Sequence, residues 1–361
     1  MRSAASPAGD ARRWQDASSR LAVVVVTDRP DDVRARFAAL PEIVLVEGDV
    51  GLTLEGTPVE LVVTSPGSYG TALIRATGAP DYVATLGPLP EAAEEETVYE
   101  LLGLPYLPPE LREHPAPSEP PALVELAEIR GDLHCHTRWS DGRATVLEMA
   151  EAARDRGYDY LAICDHRRSV RVVPGLDADE LRRQGAEIQA ANEVIAPFRV
   201  LRGTECDILP DGSLDLPDDV LAELDWVQLS LHAGQRAPRK ELTARVTHAM
   251  RHPAVRCLSH PTGRLIGHRP ENALDLERTI ETALETGVAL EVNGLPDRLD
   301  LRGDHIRLVI AAGVKITCST DAHSVAGLDN MALSVHTARR GGARAADVLS
   351  TRPLADVLRS Y

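Results

Sequence analysis

The sequence predicts an α/β protein in two parts, a small α/β unit followed by a parallel (β/α) barrel. Three observations predict it. From residue 129 onward, seven apolar strand-like runs alternate with helical stretches, and parallel neighbours need such crossovers. Histidines and acids fall at the C-terminal ends of those runs, where a closed parallel barrel carries its catalytic groups. A proline-dense stretch without periodicity, 105–121, separates the barrel from what precedes it.

Residues 1–20 are rich in Arg, Ser and Ala, lack an apolar core and are expected to be disordered. The run 21–27 is largely β-branched and reads as a buried strand. Pro30, Asp31 and Asp32 begin a helix reaching about Leu40, since proline and acids suit a first turn. Residues 43–47 and 59–64 read as further strands, and 67–77 has helical spacing. The first domain is thus 21–112, with a Pro-rich linker at 113–128 and the barrel at 129–361. Barrel strands are expected at 130–134, 158–164, 199–204, 226–231, 255–259, 288–293 and 314–319. Helices are expected at 145–156, 177–196, 239–251, 274–286 and 304–312.

Composition narrows the function. The chain has 361 residues, 43% of them hydrophobic and 3% aromatic, so the core must be aliphatic. The formal charge of −16 argues against nonspecific nucleic-acid binding. Residues 1–128 hold nine arginines against 21 acids, which places most of the negative charge there. Lys240 and Lys315 are the only lysines. The five cysteines form no Cys-x-x-Cys pair, sit in or beside apolar runs and are expected to be buried thiols rather than disulfides. No apolar stretch is long enough for a membrane span, and a cytoplasmic protein without membrane contact is expected.

His134 and His136 point to one side of a strand and can share an ion. His-x-His alone is weak. Asp141 follows in a Ser-Asp-Gly turn, and Asp165-His166, Glu205, His232, His260 and Asp321-x-His323 each follow an apolar run. Oxygen and imidazole ligands recurring at strand ends indicate a metal site.

Six stretches carry a resemblance: Gly131-Asp-Leu-His-Cys-His136, Ile163-Cys-Asp-His166, Ile208-Leu-Pro-Asp-Gly-Ser-Leu-Asp-Leu-Pro217, His260-Pro-Thr-Gly-Arg-Leu265, Ser319-Thr-Asp-Ala-His323 and Gly327-Leu-Asp-Asn-Met331. Residues 129–361 resemble a PHP (polymerase and histidinol phosphatase) domain, and more narrowly the C-terminal PHP domain of bacterial family X DNA polymerases. The resemblance implies a distorted seven-stranded (β/α) barrel with three divalent ions, manganese in preference to zinc or iron. It implies as ligands His134, His136, Asp141, His166, Glu205, His232, His260, Asp321 and His323, with Asp165 behind them to orient His166 or bridge metals.

Clustered divalent ions make hydroxide from a bound water at neutral pH and neutralise charge on a phosphoryl group. Hydrolysis of a phosphate ester by metal-bound water is therefore expected, with no protein nucleophile. Cys135 should point away from the ions. Arg138, Arg143, Arg167, Arg168, Arg171, Arg236, Arg239, Arg264, Arg269 and Arg298 fall in loops at the strand ends, where guanidinium groups suit phosphate. Arg264, Arg168 and Arg298 are the candidate substrate-phosphate contacts, although Arg167-Arg168 stands where the family usually has a lysine. Trp139 is either a base-stacking platform or core packing.

Residues 64–73 and 99–112 resemble the end of a family X palm and thumb, so the first domain reads as a degenerate nucleotidyltransferase-like remnant. Positions of the paired catalytic carboxylates hold Arg20 and Ala22, with Glu60 at the third. One acid cannot hold two magnesium ions, so no polymerase activity is expected. The expected activity is 3′-5′ exonuclease or 3′-end processing of DNA. The alternative is a phosphomonoesterase of the histidinol-phosphatase type acting on a small phosphorylated substrate, and a noncatalytic scaffold is a third class.

Overall fold

A computed structural model describes residues 4–114, 119–170 and 173–359, divided into two compact units, 1–122 and 123–361. The first contains β1 (Ala4–Ala8), β2 (Leu21–Val26), β3 (Ile43–Glu47), β4 (Val50–Thr53) and β5 (Pro58–Thr64), ordered β1-β2-β5-β4-β3. Only β2 and β5 run parallel. The run at β2 is apolar throughout because both its faces are covered. Val24 packs with Ala8 and Leu73, while Val25 packs with Phe37 and Leu61. Phe37 comes from helix Pro30–Ala38, which opens with proline and carries Asp31 and Asp32 in its first turn.

The expectation of disorder over residues 1–20 is corrected. Ala4–Ala8 pairs antiparallel with β2, and Gly9–Arg12 is a short helix. Backbone pairing needs no apolar alternation, and Pro7 is tolerated because β1 lies at the edge of the sheet. The front of the proline-dense stretch also packs into this unit. Leu107 is buried, and the buried Arg112 guanidinium forks onto Glu95 at 2.6 and 3.2 Å. Residues 1–3, 115–118, 171–172 and 360–361, parts of the expected disordered, linker and barrel segments, lie outside the described residues.

The second unit is a nearly closed parallel barrel: β6 (Gly131–Cys135), β7 (Tyr160–Ile163), β8 (Arg199–Asp207), β9 (Trp226–Ser230), β10 (Val255–Leu258), β11 (Ala289–Asn293) and β12 (Ile316–Ser319), in that order. The two edge strands meet beyond β12, where His136 N donates to Ala322 O and Asp321 N to His134 O. Helices fill the crossovers. Val146–Asp155 and Ala178–Ile195 start in capping boxes, Thr145 with Glu148 and Asp177 with Glu180. Alternate residues Tyr160, Ala162, Leu201, Trp226, Cys257 and Ala289 form one apolar cluster with Leu349 and Val357 of the C-terminal segment. Their neighbours of opposite parity, such as Leu161 and Ile163, join the larger helix-packed core. This packing fills part of the barrel interior, and in such barrels chemistry sits at the strand C-terminal ends. No helix among the described residues is long and apolar enough to cross a membrane.

Candidate active site

The nine candidate ligands come from the ends of six strands and from the turn after β6. Glu205, on β8, is the centre. Its Oε1 lies 2.8 Å from His260 Nε2 and 3.5 Å from His232 Nε2. Its Oε2 lies 2.9 Å from His166 Nδ1 and 3.6 Å from His134 Nε2. His136 Nε2 sits 2.9 Å from Asp321 Oδ1 and 3.2 Å from His134 Nε2. At the outer rim, His323 Nε2 is 3.3 Å from Asp141 Oδ2. Three overlapping ligand sets result: His136, Asp141, His166 and His323; His134, His136 and Asp321; His166, Glu205 and His232.

The donors fit divalent ions better than they fit one another. His166 Nδ1 and Glu205 Oε2 are 2.9 Å apart, yet both are buried and neither makes a hydrogen bond. Two imidazole nitrogens facing each other at 3.2 Å cannot both carry protons. Six imidazoles with three carboxylates make a borderline donor set, suited to manganese, zinc or iron over magnesium.

Electrostatics separate the interior from the rim. Burial and the neighbouring His323 and His166 push His136 down to about 3, which keeps it neutral and able to ligate. At the rim burial opposes protonation of His323, but Asp141 and Asp321 raise it to about 9; burial likewise opposes ionisation of Asp141, yet His323, His136 and His166 lower it to about 2. Glu205 and Asp321 are fully buried, yet the surrounding imidazoles hold both carboxyls well below the usual range. His260 at φ 24° and Asp321 at φ 53° occupy backbone conformations that L residues avoid. Such strain is retained where surrounding structure fixes a side chain's aim.

Two supporting acids carry no sequence motif. Glu291, wholly buried on β11, accepts from His134 Nδ1 at 2.7 Å, Ser319 Oγ at 2.6 Å, His260 N at 2.7 Å and Gln228 Nε2 at 3.0 Å. It fixes the His134 proton on Nδ1 and leaves Nε2 bare toward the centre. Asp207 does the same for His232, with Nδ1 at 2.9 Å. The signals were an acid inside an apolar run at Glu291 and a Glu-x-Asp pair at Glu205 and Asp207.

The expected orienting role of Asp165 toward His166 is corrected, although Asp165 does stand behind the ligands. It makes no hydrogen bond to the His166 ring. It accepts from Thr137 N and Oγ1 at 2.8 and 2.6 Å, from Gln184 Nε2 at 2.5 Å and from Ser140 Oγ. It therefore pins the turn that carries Asp141.

Two of the three arginines expected at the phosphate are also redirected. Buried Arg264 donates Nε to Arg298 O at 2.7 Å and Nη2 to Leu299 O, so it braces a loop. Arg168 is exposed and pairs with Asp177 and Glu180 at 2.9 and 3.0 Å. Arg298 alone of the three reaches the centre, with Nε 3.6 Å from Asp321 Oδ2 and a buried, unpartnered Nη1. Arg171 lies outside the described residues. Trp139 is half-buried against the core and donates Nε1 to Glu187 at 2.7 Å, which favours packing over base stacking. Buried Cys135 turns its Sγ to Ala162 O, and burial pushes its thiol well up, so it is no nucleophile.

Comparison with known proteins agrees with this geometry. A PHP domain model matches residues 132–345. The chain is 38% identical to the DNA polymerase/3′-5′ exonuclease PolX of Bacillus subtilis, across 98% of this chain and 67% of that protein. It is 30% identical to a probable phosphatase of Acetivibrio thermocellus and 29% to one of Photobacterium profundum. Those matches span 53% and 55% of this chain and 78% and 80% of theirs.

Proposed function

Since the chain belongs to the PHP-domain family and is a metal-dependent phosphoesterase, we propose that it shortens or cleans DNA at the 3′ end. One observation carries the choice. The likeness to the relative named as a 3′-5′ exonuclease runs through both units, whereas the likeness to the probable phosphatases covers about half of the chain. A phosphomonoesterase acting on a small molecule is the second reading, favoured by the names of those shorter relatives.

In this reading His134, His136, Asp141, His166, Glu205, His232, His260, Asp321 and His323 hold the ions, proposed to be three and manganese. When bound, such ions supply an activated water and neutralise charge on the phosphoryl group. The protein's own groups do the rest. Glu291 and Asp207 hold His134 and His232 in the tautomer that presents Nε2. Asp165 sets the Asp141 turn. Arg298 offers its free Nη1 to a phosphoryl oxygen beside Asp321. Arg264 holds the backbone from which Arg298 projects.

The first unit is proposed not to polymerise. Glu60, on β5, pairs in register with Ala22 and is bound by the Arg20 guanidinium. An arginine there replaces the charge a two-metal centre needs.

A substrate panel with manganese tests the choice: single-stranded DNA, 3′-phosphorylated DNA, histidinol phosphate and a chromogenic monoester. Stepwise loss from the DNA 3′ end is expected. Efficient hydrolysis of histidinol phosphate with DNA left intact would install the second reading.

A further inference from the structure

The loops after β9, β10 and β11 each bring an arginine to one flank of the site: Arg236, Arg269 and Arg298. These loops are stitched together. Gly263 is so close to Gln235 that an added Cβ would meet Gln235 Oε1 at 2.3 Å. Ile266 N donates to Asp297 O at 2.6 Å, and Thr262 N and Gly263 N donate to Asp300 Oδ2 at 3.0 and 2.9 Å. Arg264 clamps Arg298 O and Leu299 O.

Arg298 is the innermost of the three, beside Asp321. Arg269 is half-buried and, among the described residues, spends only Nε, on Gly263 O at 2.7 Å. Arg236 is exposed. Among the described residues neither Arg236 nor Arg269 pairs with a carboxylate, whereas Arg239, close to Arg236 in sequence, is neutralised by Asp275. Burial, and then the like charges of Arg298 and Arg236, lower the Arg269 pKa. Arg269 therefore lies near enough to each of the other two to be repelled by it. Arg298 faces Asp321, and Asp300 offsets part of the repulsion at Arg269, but the forks of Arg236 and Arg269 form no ion pair among the described residues and suit a bound anion.

We propose that Arg236 and Arg269 form a subsite for the backbone phosphate next to the one being hydrolysed, so that the enzyme selects oligonucleotides over esters with a single phosphate. This rests on the exonuclease reading above.

The test uses the full chain with manganese and two phosphodiesters: an oligothymidylate, and the p-nitrophenyl ester of thymidine 5′-monophosphate, which offers one phosphate. In Arg236→Ala and in Arg269→Ala the oligonucleotide-to-ester ratio of kcat/KM should fall at least about tenfold. For the oligonucleotide alone, the slope of log kcat/KM against log salt should become shallower by about one per arginine. Arg269→Ala also removes the bond to Gly263 O, so Arg236→Ala, an exposed side chain, is the decisive variant. Wild-type preference for the oligonucleotide with an unaltered ratio in Arg236→Ala overturns the subsite alone. Equal losses on both substrates overturn it too. A wild type that cleaves neither nucleotide but hydrolyses a monoester overturns the exonuclease reading, and the subsite falls with it.

Discussion

Replacing Glu291 by Gln changes one atom and should disable the site from beneath. The carboxylate is wholly buried and accepts from a histidine ring, a hydroxyl, a backbone amide and the side-chain amides of Gln228 and Asn293. An amide of the same shape has one acceptor oxygen, and its NH2 must face donors on the other side. Hydrogen bonds to a charged group are worth about 1.5–3 kcal/mol each. Two of these five lost or inverted, with some relaxation, come to about 3–5 kcal/mol of stability, the range seen when a buried charge loses its partner. The His134 tautomer is released at the same time, and loss of such a supporting group typically costs about 10–100-fold in metal affinity. The assay is competition for manganese against a chelator, with thermal unfolding run in parallel. Glu291→Asp, which keeps the charge, should recover part of both. Wild-type metal affinity in Glu291→Gln would refute the claim that Glu291 sets the His134 ligand.

Further consequences follow from other parts of the molecule. Arg264→Ala should lower kcat/KM at least about tenfold while elemental analysis finds the metals retained, because Arg264 holds the Arg298 loop rather than a ligand; simultaneous metal loss would contradict that placement. Glu95→Gln should destabilise the first unit by about 3–5 kcal/mol, since it strands the fully buried Arg112, and denaturant unfolding followed in that unit reads it. Burial raises the Glu95 carboxyl, but the Arg12 and Arg112 hydrogen bonds outweigh it and set the folded value below the ordinary 4.5. Its contribution is therefore complete above that value and is lost as pH falls through the lowered one; a stability profile flat through that acid range is the adverse result. Cys135→Ser should retain hydrolysis, with activity of the folded variant as the check, because the thiol faces Ala162 O and not the centre.

The barrel was legible because strand and helix periods alternate cleanly, and because every strand end that matters carries a polar residue where apolar ones would be expected. β1 and β4 were not. Ala-Ala-Ser-Pro-Ala has no apolar face to read, and Val50–Thr53 is a four-residue strand after a turn at Gly48, whose φ is 61°. Glu291 lies 157 residues from the histidine that it orients, so only the closed ring of strands reveals the pairing. Arg264 was misread for a different reason. Its position four residues after His260 places it in the right loop, but spacing in a loop does not fix where a long side chain aims. Asp165 sits beside His166 in sequence, yet its side chain serves the Thr137–Ser140 turn.

The most direct measurement follows a 5′-labelled single strand at nucleotide resolution, with and without manganese, using wild type and Asp321→Ala. The account predicts a ladder of products shortened from the 3′ end, release of nucleoside 5′-monophosphates, dependence on manganese, and no ladder with Asp321→Ala. An intact strand under conditions where the same preparation hydrolyses a phosphomonoester would contradict it.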